Sequence, residues 1–300
     1  MPPTTTSATH AVGVRTTTLW RTPESPRPID APILAADPRG WAAAQDREAR
    51  LGLDGIADTQ LLLGEPVELL EERDGWARVV VPWQPSGADP RGYPGWVPLA
   101  HLTTPPAASV EEAVVVESTA VLRRTPGGPP VLDDVSYATI LPVASQADGA
   151  ALVHLPGGGQ AWLDEGFLVR KASRQLPVDA SAVLEQARRF VGLDYLWSGM
   201  CAFGLDCSGL VHISFRALGR VVPRDAKDQA DFAEPVPLDE VQAGDLFFFA
   251  KPGKEISHVG FATGAESVIL HAPGTGNPVE EAPMSGRRKQ TLTSAGRLTV

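Results

Sequence analysis

One 24-residue stretch constrains this chain more than any other: Asp194 to Ala217, which reads DYLWSGMCAFGLDCSGLVHISFRA. Its first half is rich in glycine and aromatic residues, and after Cys207 apolar residues recur at helical spacing. We therefore expect Cys207 at the start of a helix. The positive end of the helix dipole and the unpaired N–H groups there favour the thiolate, the nucleophilic form of cysteine.

Two histidines follow in short apolar runs that predict strands, His258 in ISHVGFAT and His271 in SVILHAPG. A hairpin centred on Gly264 and Ala265 would place positions 258 and 271 opposite each other on neighbouring strands. One histidine could then orient the other. Together with Cys207 they make up the nucleophile, base and orienting residue of a cysteine hydrolase.

Several of these residues also have simpler interpretations. A lone cysteine is more often a small buried hydrophobic residue, and His271 could merely end its strand. His212 lies five residues after Cys207, rotated away from it on the helix, which favours a structural role. No metal-ligand spacing such as HExxH or paired CxxC occurs, so we expect no metal and no cofactor. The basic cluster at residues 287–289 is expected to be a solvated surface.

Six motifs occur in one order: YLWSG, GLDCSGL, PRDAKDQ, GDLFFF, SHVGF and ILHAPG. In this they resemble the NlpC-type papain-like cysteine peptidases, which cut the stem peptides of bacterial peptidoglycan. The resemblance covers residues 173–300 and implies Cys207 as nucleophile, His258 as general base and His271 as the third member. The chain departs from the family pattern at Ser198, where a glycine is usual, and at Cys201, where a small hydroxyl residue is common.

The region before this domain alternates short apolar runs with Pro and Gly turns, the pattern of small antiparallel barrels. Residues 12–105 form one such unit, with an insertion, PRGWAAAQDREARLGLDG, that allows one short helix. The pattern recurs in residues 109–172, where TAVLRRTP repeats TTTLWRTP, and the GW-V-P ending resembles bacterial SH3-like domains. The predicted fold is multidomain: two small all-β SH3-like barrels, then an α+β papain-like cysteine peptidase domain over residues 173–300.

Net charge and the distribution of apolar residues limit the classes of partner and the cellular compartment that we expect. The formal net charge of −10 argues against a nucleic-acid partner. No run approaches the ~20 apolar residues of a membrane span, and the first thirty residues contain no apolar signal-peptide core. These features predict a cytoplasmic protein without a membrane partner. The two cysteines, six residues apart, do not suggest a disulfide framework.

The resemblance also implies a substrate. Members with two SH3-like domains close their pocket over the free N-terminus of L-Ala in L-Ala-γ-D-Glu-diamino acid. On this analogy Asp225 and Tyr93 bind the substrate ammonium, with Asp206 near them. Ser208 supplies a candidate N–H for the oxyanion, and Trp197 is a further expected substrate-binding residue.

Two of these roles have plain alternatives, since Asp225 could simply pair with Arg224 and Tyr93 could simply pack. The implied activity is a cysteine endopeptidase that cuts between γ-D-Glu and a diamino acid, Lys or diaminopimelate, in recycling of cell-wall murein peptides. The alternatives are an exported general wall endopeptidase, an acyltransferase or amidase on the same scaffold, and a catalytically dead wall-binding protein. The complete Cys, His, His set argues against the last. No sequence feature predicts an oligomeric state.

Overall fold

The computed structural model describes residues 9–172 and 179–299. Two seven-stranded sheets are followed by a six-stranded sheet and a two-stranded ribbon. The predicted order of two all-β barrels followed by an α+β domain is confirmed. The predicted start of the last domain, Ser173, lies outside the described residues. Within the described residues, no helix has the length and apolar character needed to cross a membrane.

The first barrel contains seven strands in the spatial order β3-β2-β6-β5-β4-β1-β7. Its core is aliphatic, with Val67, Val79 and Val97 fully buried. A 3₁₀ turn at Leu99–His101 precedes the last strand. The strands are β1 (His10–Val12), β2 (Thr16–Trp20), β3 (Ala57–Leu62), β4 (Pro66–Arg73), β5 (Trp76–Val81), β6 (Tyr93–Pro98) and β7 (Leu102–Thr103).

The insertion between β2 and β3 contains more helix than predicted. A 3₁₀ turn at Pro28–Asp30 leads into α1 (Ala31–Leu34), α2 (Pro38–Ala44) and α3 (Arg47–Leu51). The prediction of one short helix was wrong because two aspartates each start a helix. Asp37 accepts from Gly40 N–H at 2.8 Å and Asp46 from Ala49 N–H at 2.9 Å. The insertion contributes to an apolar cluster that includes Leu196 of the third domain, which ties it to the loop before Cys207.

The second barrel repeats the first strand for strand, in the order β10-β9-β13-β12-β11-β8-β14. It has no helical insertion between its second and third strands. The duplication that the repeated motifs predicted is therefore visible in the topology. The strands are β8 (Glu111–Val115), β9 (Thr119–Arg123), β10 (Pro130–Ser136), β11 (Ile140–Ala147), β12 (Ala150–His154), β13 (Gln160–Leu163) and β14 (Phe167–Lys171).

The third domain packs helices on an antiparallel sheet with the order β17-β22-β18-β19-β20-β21. All residues of α5 are buried, and Phe215 of this helix stacks on Phe261 of the sheet at 6.3 Å between ring centroids. The elements are α4 (Ala180–Arg188), β15 (Met200–Cys201), β16 (Gly204–Leu205), α5 (Cys207–Ala217), α6 (Ala226–Phe232), β17 (Glu234–Val236), β18 (Leu246–Phe249), β19 (His258–Ala262), β20 (Val268–His271), β21 (Glu280–Pro283), α7 (Gly286–Thr291) and β22 (Leu292–Arg297).

The hairpin of β19 and β20 differs from the predicted register. Phe261 pairs with Leu270, so the two strands are offset by two residues from the pairing that would place positions 258 and 271 opposite each other. The connection is a five-residue loop over residues 263–267, in which Gly264 and Ser267 have φ of 87° and 58°. Because the offset is even, His258 and His271 still share one face of the sheet.

A buried ion pair joins the three domains. Arg216 of α5 bonds Glu65 of the first barrel at 2.6 Å, with side chains 4% and 0% exposed. The Arg216 Nε also donates to the carbonyl of Ala138 in the second barrel at 3.2 Å. The barrels are therefore fixed to the end of the helix that begins at Cys207.

Removing one partner of this pair is expected to destabilise the protein strongly. Glu65→Ala leaves the Arg216 charge buried and uncompensated, which costs about 3–5 kcal/mol of unfolding free energy. Urea unfolding followed by circular dichroism measures the loss. The matched control is Glu24→Ala, which removes the exposed partner of Arg73 and should leave the urea midpoint unchanged. A Glu65→Ala midpoint equal to that of the control would contradict the role of the pair.

Candidate active site

Cys207 is the first residue of α5, as predicted. Asp206 precedes it in extended conformation and accepts from the N–H of Gly209 at 2.6 Å, which starts the helix. The helix packs against β19, the strand that begins with His258. The sequence therefore places the thiol between a helix start and a strand start.

The thiol is only 8% exposed, and this burial decides its protonation. Burial raises the pKa of Cys207 to about 11, and the neighbouring Asp206 charge acts in the same direction. The N–H of Val259 and the Arg224 charge lower the pKa but do not reverse the shift. Burial therefore opposes the thiolate that the helix start favours. With a raised pKa, Cys207 would act as a nucleophile only with a base to take its proton.

The two histidines form the chain of hydrogen bonds that such a base requires. Nε2 of His258 lies 2.7 Å from Nδ1 of His271, and Nε2 of His271 lies 3.3 Å from Oε1 of Glu280. Since a carboxylate only accepts, His271 donates to Glu280 and accepts from His258. This assignment leaves Nδ1 of His258 unprotonated, which is the form that a general base needs. Glu280 was missed from sequence, because only the pairing of β21 with β20 brings it to His271.

Both imidazoles are neutral near pH 7. Burial lowers the pKa of His271 to about 3 and holds the pKa of His258 well below its usual range. The nearby Arg288 guanidinium lowers both further. In the predicted roles of Cys207 as nucleophile and His258 as general base, a neutral imidazole would take the proton of a neutral thiol as the sulfur attacks.

At the other end of the site, the Tyr93 hydroxyl of the first barrel donates to Oδ2 of Asp225 at 2.8 Å. Asp225 directly precedes α6, so this helix begins within the PRDAKDQ motif. Its carboxylate does not cap that helix but points at Tyr93. Partial burial raises the pKa values of both Asp225 and Tyr93.

Arg224 does not pair with Asp225 but with Asp206. Its guanidinium, 1% exposed, bonds Oδ2 of Asp206 at 2.6 Å and donates to Ser208 Oγ at 3.0 Å. It also donates to Oγ1 of Thr59 in the first barrel at 2.7 Å. The Asp206 carboxylate is thus occupied by Arg224 and the helix start. Asp206 also lines the cavity described next, and its contact with a substrate ammonium stays a prediction.

A cavity of about 280 Å³ extends from Cys207 to the pair of Tyr93 and Asp225, and its lining does not include His258 or His271. The first barrel and the third domain form its wall. Trp197 lies in this wall and donates its Nε1 to the carbonyl of Ala57 at 3.0 Å. Six of the predicted site residues line it: Tyr93, Trp197, Asp206, Cys207, Ser208 and Asp225. The same wall contains Asp58, paired with Arg21 at 2.8 Å, which sequence reasoning missed because it lies in an ordinary strand of the first barrel.

The two departures from the family motif have structural consequences. Ser198 adopts φ of 64°, a left-handed conformation that glycine reaches without strain. Cys201 is a free thiol, 1% exposed, and burial raises its pKa to about 12, so it is an inert core residue. Among residues 9–172 and 179–299, no group of three or more His, Cys, Asp or Glu is arranged to hold a metal ion.

Comparison with known proteins agrees with this geometry. The model of the NlpC/P60 family matches residues 192–297. The chain is 38% identical over 90% of its length to a gamma-D-glutamyl-L-lysine dipeptidyl-peptidase of Bacillus subtilis, covering 92% of that protein. The chain belongs to the NlpC/P60 family. A Bacillus cereus protein with the same name as the B. subtilis relative is 33% identical over 91% of the chain and 86% of its own length.

The barrels and the whole architecture match as well. A YKFC SH3b2 domain model matches residues 115–166 of this NlpC/P60 protein, and a bacterial dipeptidyl-peptidase Sh3 domain model matches residues 52–82. The crystal structure of an NlpC/P60 family protein from B. cereus superimposes with a TM-score of 0.89 at 29% identity, covering 96% of this chain and 98% of the other. The predicted resemblance is confirmed, and the chain is a cysteine peptidase of this family.

The hydrogen bond between the two histidines predicts graded effects of substitution in this NlpC/P60 peptidase. His271→Ala removes the acceptor that fixes the His258 tautomer, and kcat should fall about 10²–10⁴-fold. His271→Asn restores a carbonyl acceptor and should recover part of that loss. Glu280→Gln should cost less, because the Glu280 side chain is 48% exposed. Single-turnover kinetics measure the rates, and wild-type kcat in His271→Ala would contradict the orienting role.

Proposed function

We propose that this enzyme hydrolyses the amide between the γ-carboxyl of D-Glu and a diamino acid in peptidoglycan stem peptides whose L-Ala has a free amine. The observation that carries the proposal is the hydrogen bond between Tyr93 and Asp225, at the end of the cavity away from the histidines. The B. subtilis and B. cereus relatives are named gamma-D-glutamyl-L-lysine dipeptidyl-peptidases, which supports cleavage between γ-D-Glu and the diamino acid.

The amine end of the cavity suits an ammonium group. Among the residues that the structure describes, the Asp225 carboxylate has one hydrogen-bonded partner, the Tyr93 hydroxyl, and Asp58 lies in the same wall. An ammonium brings three donors and a charge that compensates a half-buried carboxylate. An acylated nitrogen has no charge and a single donor, so it leaves the carboxylates desolvated without a counter-charge. Sites that depend on such a polar contact can reject analogues without it by about 10⁴-fold.

The proposed mechanism starts from a neutral Cys207 thiol and a neutral His258 imidazole. His258 takes the thiol proton as Cys207 Sγ attacks the γ-carbonyl, and helix-start N–H groups, with that of Ser208 as a candidate, stabilise the oxyanion. His258 then gives its proton to the departing amine of the diamino acid. Water, activated by the same histidine, hydrolyses the thioester and releases L-Ala-D-Glu with a free γ-carboxylate.

A requirement for a free amine has a consequence for where the enzyme acts. Stem peptides still attached to glycan have an acylated L-Ala nitrogen, so only peptides already released from glycan would fit. We therefore infer a role in recycling of murein peptides in the cytoplasm. Cell fractionation with an antibody tests the location, and recovery of the enzyme in the wall or culture medium would contradict it.

The substrate is tested by mass spectrometry with L-Ala-γ-D-Glu-L-Lys, its diaminopimelate counterpart and their N-acetylated twins. We expect cleavage of the free-amine peptides alone, and none by Cys207→Ala. Asp225→Ala should lower kcat/KM for the free-amine peptides by at least about 100-fold, given the strength of charged hydrogen bonds in enclosed sites. The matched control is Asp231→Ala on the same helix, whose exposed carboxylate pairs only with Lys227 among the described residues.

Other outcomes separate the alternatives. Equal cleavage of free and acetylated peptides would indicate a general wall endopeptidase and remove the proposed roles of Asp225 and Tyr93. Products joined to an added amine would indicate an acyltransferase. Binding without any cleavage would indicate a wall-binding protein.

A further inference from the structure

Arg288 lies beside the catalytic histidines, not in the solvated surface expected from the basic cluster at residues 287–289. Its side chain is half-buried, donates through Nη2 to the carbonyl of Pro273 and stands 5.5 Å above the ring of Phe249. Phe249 in turn lies 5.3 Å from the ring of His258. The guanidinium also interacts electrostatically with Cys207. A charge in this position acts on the reacting groups.

This guanidinium has no carboxylate partner within ion-pair distance among the described residues. Six other enclosed arginines of the described residues each have one: Arg27, Arg50, Arg123, Arg170, Arg216 and Arg224. Glu280 acts on Arg288 only through longer-range attraction and bonds His271 instead. A partly desolvated positive charge without a counter-ion is costly, so a carboxylate that reaches it gains a charged hydrogen bond.

The proposed reaction would bring the α-carboxylate of the leaving diamino acid to the side of the site where Arg288 lies. His258 must deliver a proton to the departing amine, so the leaving diamino acid lies on the histidine side of Cys207. Its α-carboxyl carbon is two bonds from that nitrogen, close to the scissile bond. Tyr93 and Asp225 occupy the opposite end, and Arg288 is not part of the cavity that they line.

We propose that Arg288 binds the α-carboxylate of the leaving diamino acid, so that the enzyme selects peptides in which this residue is C-terminal. The inference rests on the proposed function, because it assumes the same scissile bond, and adds a second point of selection. Peptides with an amide there, or extended by D-Ala, lack the carboxylate at that position. The site then recognises a short zwitterionic peptide by both of its charged ends.

The test compares kcat/KM for L-Ala-γ-D-Glu-L-Lys with that for its C-terminal amide. Wild type should favour the acid by about 10- to 100-fold, the size expected for one charged hydrogen bond. In Arg288→Gln the ratio should fall to near one, and Arg288→Lys should retain part of it. The matched control is Arg287→Gln, an exposed neighbour on the same helix, which should keep the wild-type ratio.

Two results would overturn the inference: equal wild-type rates on acid and amide, or an Arg288→Gln variant that loses activity on both peptides alike. Preference for the free N-terminal amine, measured in the same series, should persist in Arg288→Gln. If wild type prefers the acid but ignores N-acetylation, the amine selection fails and this inference stands. Calorimetric binding of both peptides to Cys207→Ala decides the question without turnover: equal affinities would contradict the role of Arg288, and tighter binding of the acid, lost in Cys207→Ala/Arg288→Gln, would support it.

Discussion

The buried ion pair between Arg224 and Asp206 is the interaction on which the site depends. Asp206 starts the helix that presents Cys207, and Arg224 holds Asp206 while donating to Thr59 of the first barrel. Its backbone N–H also bonds the carbonyl of Pro85 at 3.0 Å. Burying two charges is costly unless geometry and further hydrogen bonds compensate, and here both do. The next residue, Asp225, is thereby fixed against Tyr93. The first barrel is therefore a wall of the active site, and the pocket exists only when the domains are docked.

Neutral groups lie at the centre of the site, where the reaction would occur, and the charged groups that would bind the substrate lie at its ends. At the centre, burial keeps Cys207, His258 and His271 neutral, so no charge has to be desolvated before substrate arrives. At the ends lie opposite charges, Asp225 on one side and Arg288 on the other. A substrate with a free amine and a free carboxylate complements both ends. The second barrel contacts the far end of α5, the helix that begins at Cys207. Arg216 of this helix donates to the carbonyl of Ala138 and so fixes that end.

Sequence was informative where the signal was local. Helical spacing after Cys207, the motif order and the repeated barrel pattern predicted the fold class and the family, and both are confirmed. The predicted hairpin register was wrong, because amino-acid composition alone does not distinguish a five-residue loop from a two-residue turn. Glu280 and Arg288 were not predicted as site residues. Strand pairing places Glu280 and packing on Phe249 places Arg288, and neither effect has a periodic signature in the sequence. The individual roles given to the site residues stay predictions, as do the domain limits 12–105, 109–172 and 173–300. These site residues are Cys207, His258, His271, Tyr93, Trp197, Asp206, Ser208 and Asp225.

We propose above that the docked first barrel and Asp225 bind the substrate amine. The most direct measurement is a crystal structure of Cys207→Ala with L-Ala-γ-D-Glu-L-Lys bound. The account predicts the L-Ala nitrogen within about 2.7–3.2 Å of an Asp225 oxygen, the range of charged hydrogen bonds. The γ-carbonyl should lie over the start of α5. A peptide whose nitrogen points to solvent, or that binds in the reverse direction, would contradict the account.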